Sequence, residues 1–483
     1  MKSFLAGFFA EARILARARA VGLALVALAA AALFALHAGA GRVASQQAVV
    51  AAARAEEAQR LDGLKTSLAR LESGATQEEP PPYRDPRNAV FMGAGPAARV
   101  AALAPQPLAL VAVGQSDLLS AVIRVTSGSK DAFLFADEIE NPALLSSGAT
   151  DLAFIVVHVY PLVILALAFN LLAGEREQGT LVMTLAAARR PGAALAGKLA
   201  ARLVAPIAIM LLATALGIGL FAGWDALASA SFLRLVAVIL VYGLFWAALA
   251  AAVDGLGQSS AFNALTLIGA WVALALLAPA GINSLAAFVY PAPSRIDMTL
   301  AARAAATDAD KSRDAMLARY VEEHAGQKPA GAREGTLRRL ATQEAAFERV
   351  EGVIAAHDAA LSRQRALVDR LSFLSPTLLA YGALADVAGA GEARYRDFLD
   401  RLSAFHLDWR AFFLTRAKAG QAMTAADYDA LPRFAETPAP ESAVGSALLG
   451  MALPTLLLAF LAWRGFRRVA RPEPRGAKRP RPR

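Results

Sequence analysis

Cysteine is absent from the 483 residues, which removes disulfide scaffolds, thiolate metal sites, iron–sulfur clusters and cysteine nucleophiles at once. Histidine is scarce: His37, His158, His324, His357 and His406 are scattered, no H-E-x-x-H occurs, and no metal site is expected. Charge is thin as well. Charged residues make up 18% of the chain and hydrophobic ones 57%, whereas a soluble domain averages roughly 25% charged and 45–50% apolar. This composition argues against an ordinary cytosolic enzyme. Lysine is rare beside arginine, 8 against 41, which with the abundant alanine fits a GC-rich bacterial genome.

What is present is length without charge. A membrane-spanning helix takes about 20 apolar residues, and six stretches between charged residues reach that length. They hold 22 residues after Arg19, 23 after Asp151, 22 after Arg202, 19 after Arg234, 40 after Asp254 and 22 after Glu441. They predict transmembrane helices over 20–41, 152–173, 203–223, 235–253, 262–282 and 443–463. The 17 residues between Arg99 and Asp117 are too few and are broken by Pro105 and Pro107; residues 108–113 read as a buried strand instead. Ala38-Gly39-Ala40 resembles a small-residue cleavage site, so the first stretch reads as a retained span or, alternatively, a signal peptide.

Basic residues set the orientation. The overall charge is +9. Residues 1–19 carry +3, the segment 174–201 with Arg202 also +3, and the tail 464–483 carries +8. Six crossings put all three on one side together with Asp254, which brings that side to +13 against −4 on the other. The expected protein is multi-pass with both termini cytoplasmic in a bacterial inner (plasma) membrane, and nucleic acid is not needed to explain its charge. Phe4, Leu5, Phe8, Ala12 and Leu15 recur at helical spacing, so residues 1–19 read as an amphipathic helix on the membrane surface. Arg202 and Arg234 read as boundary residues that snorkel, and the basic tail attracts anionic membrane lipid.

Two large inserts face the other side. Residues 42–151 begin helically, break at Pro80-Pro81-Pro82, and continue into strand-like runs, which predicts a small α/β cap. Residues 291–441 are mostly helical: 297–325 and 333–372 form two long helices around Gly326, Pro329 and Gly331. Ser375-Pro376 restarts a helix that lies near the bilayer surface or against the cap. The helix 392–418 carries Tyr395, Phe398, Leu402, Phe405, Trp409, Phe412 and Phe413, an aromatic face suited to packing. The fold class is thus mainly α, a six-helix membrane protein with two extracytoplasmic inserts.

Polar residues inside spans are costly and often functional. His158, Asn170 and Asn263 are such residues, with interhelical hydrogen bonding the plainer reading; Gly217 and Gly219 allow close helix approach, within a dimer or by chance. Glu322-Glu323 lies on a charged helical face without sign of a catalytic pocket. The run 192–199, Gly-Ala-Ala-Leu-Ala-Gly-Lys-Leu, has the spacing of a phosphate loop, but Leu199 stands where a hydroxyl must hold Mg²⁺. Neither a catalytic residue nor a cofactor is expected in this chain.

The most informative residues follow the second span: Gly174-Glu175-Arg176-Glu177-Gln178-Gly179-Thr180-Leu181, then Arg189-Arg190 and Gly197-Lys198. They read as a short charged helix end and a surface helix. From Tyr160-Pro161 to Leu185 this stretch resembles the second span and coupling region of ABC-2 type transporter permeases, whose signature is close to G-E-R-E-x-G-T-L. The two inserts make the chain similar to a bacterial branch that carries a domain of unknown function, related to gliding-motility and copper-maturation permeases. Residues 112–117 (Ala-Val-Gly-Gln-Ser-Asp), 290–295 (Tyr-Pro-Ala-Pro-Ser-Arg) and the run from Leu374-Ser375-Pro376 to Phe412-Phe413 are also similar to that branch.

The resemblance implies a permease subunit that exports a substrate on ATP hydrolysed, with Mg, by a separate ABC ATPase subunit. It implies a homodimer, or a heterodimer with a related permease. Gly174, Glu175, Arg176, Glu177, Gly179, Thr180, Arg189 and Arg190 would couple the ATPase to the spans. The alternative is a mechanotransmission complex in which ATP hydrolysis moves the long insert against an extracytoplasmic protein partner.

Overall fold

The computed structural model describes residues 1–75, 79–114, 120–128, 130, 150–292, 294–311, 322, 334–435 and 444–469. Gln115, Ser116 and Asp117, Pro293, most of 312–333 and the tail beyond 469 lie outside the described residues. The chain is mainly helical, and six helices are long and apolar enough to cross a membrane.

Alanine-rich sequence without an interior proline makes α2 (Arg19–Glu72) one unbroken helix of 54 residues. At 1.5 Å per residue it is about 80 Å long, far beyond the expected 20–41, so the start of the first insert continues the first span. Before it, α1 (Lys2–Arg17) is amphipathic. It lies along α7 (Pro191–Phe221) with Leu5, Phe9 and Ile14 exposed. Glycines make that contact: side chains at Gly7 or Gly197 would collide with the backbone of Ala194 or Phe4. Gly217 and Gly219 are likewise taken up within the chain, against Leu36 of α2 and the Trp224 ring.

The bundle is centred on α8 (Ala230–Asp254), which packs against α7, α9 (Ser260–Val289) and α15 (Val444–Val469). It also meets α4 (152–168), whose N-cap Asp151 accepts from Phe154 N at 2.7 Å. Two prolines shape it. Pro161 has no N–H for the carbonyl four residues back, and α4 carries a π turn over Ile155–Val159; Tyr242 Oη donates to that carbonyl, Val157 O, at 2.8 Å. In α9 a π turn covers Val272–Leu277. There Pro279 leaves Leu274 O unmatched in the five-residue register, and Ser375 Oγ donates to it at 3.0 Å.

Ser375 also caps α12 (Pro376–Ala388), accepting from Leu378 N at 3.3 Å. Thr377 Oγ1 lies 3.2 Å from Tyr242 Oη. The short helix therefore sits inside the bundle end, with Ala380, Ala383, Leu384 and Val387 in the same core as Tyr160 and Trp246. Of the two expected settings, bilayer surface or cap, the contacts include the cap, since Leu108, Leu110, Val111 and Ala112 of the first insert share this core; four small or branched apolar residues and two hydroxyls also match the bundle interior. It turns by 118° from α11 (Glu334–Leu371), which packs with α10 (Arg295–Lys311).

A second core lies beyond the bundle. It combines the far half of α2 (Leu61, Leu68), α3 (Ala89–Gly93), the antiparallel pair β1 (Arg99–Ala102) and β2 (Val122–Val125), α13 (Glu392–Ala419) and α14 (Ala425–Asp429). Phe398, Leu402, Phe405, Trp409 and Phe413 fill it, so the aromatic face of α13 is packing and the two inserts share one core. Residues 108–113 form a buried turn rather than the expected strand. Arg42 Nη2 donates to Ala109 O at 3.1 Å and Ala112 O at 3.2 Å, and Asp151 accepts from Val113 N at 2.7 Å. Side chains supply what a neighbouring strand would have given.

Candidate functional site

At one end of the bundle the second membrane-length helix breaks. Asn170 leaves helical geometry, and the chain resumes as α5 (Leu171–Glu177). A restarted helix exposes backbone N–H groups that need acceptors. Asp254, the last residue of α8, supplies them: its carboxylate accepts from Leu172 N at 2.6 Å and Ala173 N at 3.1 Å. Asn263 Nδ2 donates to the same carboxylate at 2.9 Å and to Phe169 O at 3.0 Å. Asp254 is 1% exposed, so all three donors meet it away from water.

Four charges lie beside this cap. Glu11 of α1 is 2% exposed and accepts from Arg202 Nε of α7 at 2.6 Å. Arg202 Nη1 donates to Asn170 Oδ1 at 2.6 Å and to Leu167 O at 3.0 Å. Lys198 pairs with Glu175 of α5 and stands 3.8 Å from Glu11. Two acids and two bases thus tie α1, α5, α7 and the helix break into a locally neutral network. Arg202, expected to snorkel, is instead consumed here, because α7 begins at Pro191 rather than near residue 203 and places it in the helix interior.

The other charges of α5 reach the loop before α9. Arg176 Nη1 donates to Gly257 O at 2.5 Å and Gln258 O at 3.3 Å. Glu177 accepts from Ser260 N at 2.7 Å and Ser260 Oγ at 2.9 Å, which caps the first turn of α9. Gly179 then turns the chain at φ +70°, where only glycine is comfortable. Thr180 Oγ1 donates to Glu175 O at 3.3 Å and α6 (Leu181–Ala187) follows. Leu181 and Leu185 of α6 pack inward with Leu171, Leu195 and Phe466. Val182 and Met183 point out, 75% and 70% exposed.

Glu175, Arg176, Glu177, Thr180, Asn170 and Asn263 are therefore brought together. Gly174 lies inside α5, with Asn170 beside it. Arg189 and Arg190 are exposed just before α7. His158 is not part of this site: it lies in the π turn of α4, with Nδ1 3.3 Å from Phe154 O and its ring stacked on Phe154 at 4.8 Å. Sequence reasoning missed Glu11, Lys198, Asp254 and Ser260. Each had a signal, an acid on an amphipathic helix, a lysine entering a span, an acid on the basic side and a serine before a span. Lys198, in the phosphate-loop lookalike, lies within α7 and serves Glu175. Among the described residues no group of three or more His, Asp or Glu is placed to hold a metal ion.

A family model described as Domain of unknown function (DUF3526) matches residues 295–436. The matched stretch runs from α10 through α14, so it covers the second insert and α12 but not the charged end. No curated protein and no solved structure matches the chain.

Proposed function

We propose that this chain is the membrane permease subunit of an ABC-2 type transporter, exporting a substrate across the bacterial inner membrane with a separate ATPase subunit. One observation carries the reading. The three charged residues of α5 grip different helices: Glu175 holds α7 through Lys198, while Arg176 and Glu177 hold the entry to α9. A push on α6, whose Val182 and Met183 face outward, is thereby delivered to the third and fifth membrane-length helices together. Coupling of two states requires contacts that differ between them, and a polar clamp of this kind can be made and broken.

In this reading α6 contacts the ATPase, which holds ATP and Mg, and the charged end is cytoplasmic, following the +13 to −4 partition of the sequence. The shared core of the inserts lies on the extracytoplasmic side. The permease works as a dimer, of identical chains or with a related one.

The test is reconstitution with the partner ATPase. Glu175→Ala or Glu177→Ala lowers substrate-stimulated ATP hydrolysis while membrane insertion is retained. Unchanged coupling in both variants sinks the assignment. A second reading, mechanotransmission onto an extracytoplasmic protein, is favoured by α2 alone, because it runs unbroken from the bundle into the insert core. ATPase activity in vesicles without substrate movement, and a partner captured through the insert, separates the two.

A further inference from the structure

Between α7, α8 and α15, at the charged end, lies an open groove of about 790 Å³. Small residues create it: Ala196 and Ala200 of α7, Ala247 and Ala251 of α8, and Ala459 and Ala462 of α15 face one another where larger side chains would close the space. Its one lining hydroxyl, Thr455, donates to Met451 O of its own helix at 2.7 Å, so the wall stays apolar. The lining runs from Arg190 to Leu203 along α7 and from Thr455 to Arg467 along α15. At 1.5 Å per residue that is about 18–20 Å, slightly more than one leaflet of a hydrocarbon core roughly 30 Å thick.

The mouth has the opposite chemistry. Arg190, just before α7, and Arg467 of α15 line it, and both are exposed. Arg467 lies over the ring of Trp463, 4.2 Å from its centroid, which fixes a cation beside an aromatic of the kind that sits at headgroup level. The nearby carboxylates are engaged elsewhere: Glu11 with Arg202, Glu175 with Lys198, Glu177 with Ser260, and Asp254 with the α5 amides. The positive charge at the mouth therefore faces whatever enters the groove.

We propose that this groove is a binding site for one anionic glycerophospholipid, with an acyl chain between α7, α8 and α15 and its phosphate held by Arg190 and Arg467. The site needs only that these helices lie in a bilayer, and it stands whether or not the chain is a transporter. Each arginine near the surface contributes about 1 kcal/mol toward an anionic lipid, which converts to roughly a 10- to 30-fold preference for two. The basic tail after Val469 is repelled by the same charges, which argues against it as the occupant.

Trp463 is the reporter. The full-length protein is placed in nanodiscs containing phosphatidylglycerol or phosphatidylcholine brominated high on the acyl chain, with Trp463→Phe subtracting the other tryptophans. The expected result is half-maximal quenching at a roughly 10- to 30-fold lower mole fraction of phosphatidylglycerol. Arg190→Gln with Arg467→Gln removes the preference, and Ala248→Phe, which fills the half-buried wall of α8, removes the quenching by both lipids. Far-UV circular dichroism and elution volume confirm that these variants fold, and the arginine pair, being exposed, carries the test if the Ala248 variant does not.

Equal quenching by the two lipids overturns the site, as does a preference that survives loss of both arginines. Complete reversal by inorganic phosphate overturns it too, since a free anion would then suffice. A large gain in quenching on deleting residues 470–483 would assign the groove to the tail and likewise overturn it.

Discussion

The insert core and the charged end of the bundle both bury arginines, and Arg410 and Arg394 of the insert are satisfied differently from Arg202. In the insert, Arg410 donates to Ser127 O at 2.6 Å and lies over the Phe347 ring at 4.1 Å, and Arg394 donates to Gly389 O and Ala104 O. Backbone carbonyls hold these groups, and a carbonyl cannot move without the chain that carries it. At the charged end, Arg202 keeps one carbonyl, Leu167 O, but it and Lys198 are otherwise held by the side chains of Glu11, Asn170 and Glu175, which have rotamers to exchange. The apolar support differs in step. The insert core is built on Phe398, Phe405, Trp409 and Phe413, whereas the core beneath α5 and α6 is a few leucines with Ala251, Ala462 and Phe466. On these contacts the insert core is expected to hold its geometry more firmly than the charged end.

The largest effect that sharpens this contrast is expected at Trp409. Its Nε1 donates to Gly93 O at 3.3 Å and its ring is fully buried. Trp409→Ala is expected to cost about 3–5 kcal/mol, read as loss of proteolytic protection across the insert, with the bundle helices retained. Equal loss of protection in both regions would show that they unfold as one unit.

Next comes His406, whose Nε2 donates to Gly128 O at 2.8 Å. Burial pushes its pKa down to about 4, with Arg410 and Lys130 adding to the shift and the Gly128 bond opposing it. The unfolded chain then binds a proton that the folded one does not, so stability is complete above about pH 6.5 and falls as pH drops toward 4. The loss reaches at most roughly 3 kcal/mol. Thermal melting against pH checks it, and His406→Gln flattens the slope in that window.

At the charged end, Asp254→Ala orphans two backbone amides and removes one of the two acceptors of Asn263. It is expected to cost about 2–3 kcal/mol and to free α5 from α8, seen as faster amide exchange at Leu172 and Ala173. Asp254→Asn, which keeps one acceptor, recovers part of it. The smallest effect is expected for Gly197→Val, whose branched side chain pushes α1 off α7; overpacking costs about 1–3 kcal/mol, read by melting in detergent. If the Asp254 variant proved as damaging as Trp409→Ala, the distinction between a firmer and a looser region would fall.

The six membrane-length helices were legible because charge spacing alone marks them. The Glu175–Glu177 cluster was legible as a pattern of glycine, acid and base. Its partners were not, because they come from 23 to 83 residues away in sequence, from Lys198 to Ser260. Asp254 counted in the sequence only as a charge between two spans; its meaning depends on α4 breaking at Asn170 beside it. Residues 108–113 were misread because an apolar run has the same composition in a strand and in a buried turn. What decides between them is Arg42, more than sixty residues upstream. The span and the helical start of the first insert were both legible, but not that they form one unbroken α2, because a helix gives no mark in sequence where it leaves the bilayer.

The hydroxyls of Tyr242 and Ser375 have a further consequence for how this bundle can come apart. Each occupies a carbonyl left open by a proline, and a hydroxyl in that role is interchangeable with water. Lipid tails offer no donor, and an unmet carbonyl in hydrocarbon costs several kcal/mol. Withdrawal of α12 takes Ser375 from Leu274 O while Tyr242, on α8, stays on Val157 O; it is therefore tolerable into a wetted opening and penalised into the lipid. At Pro279, water rather than lipid is thus the favoured replacement for Ser375.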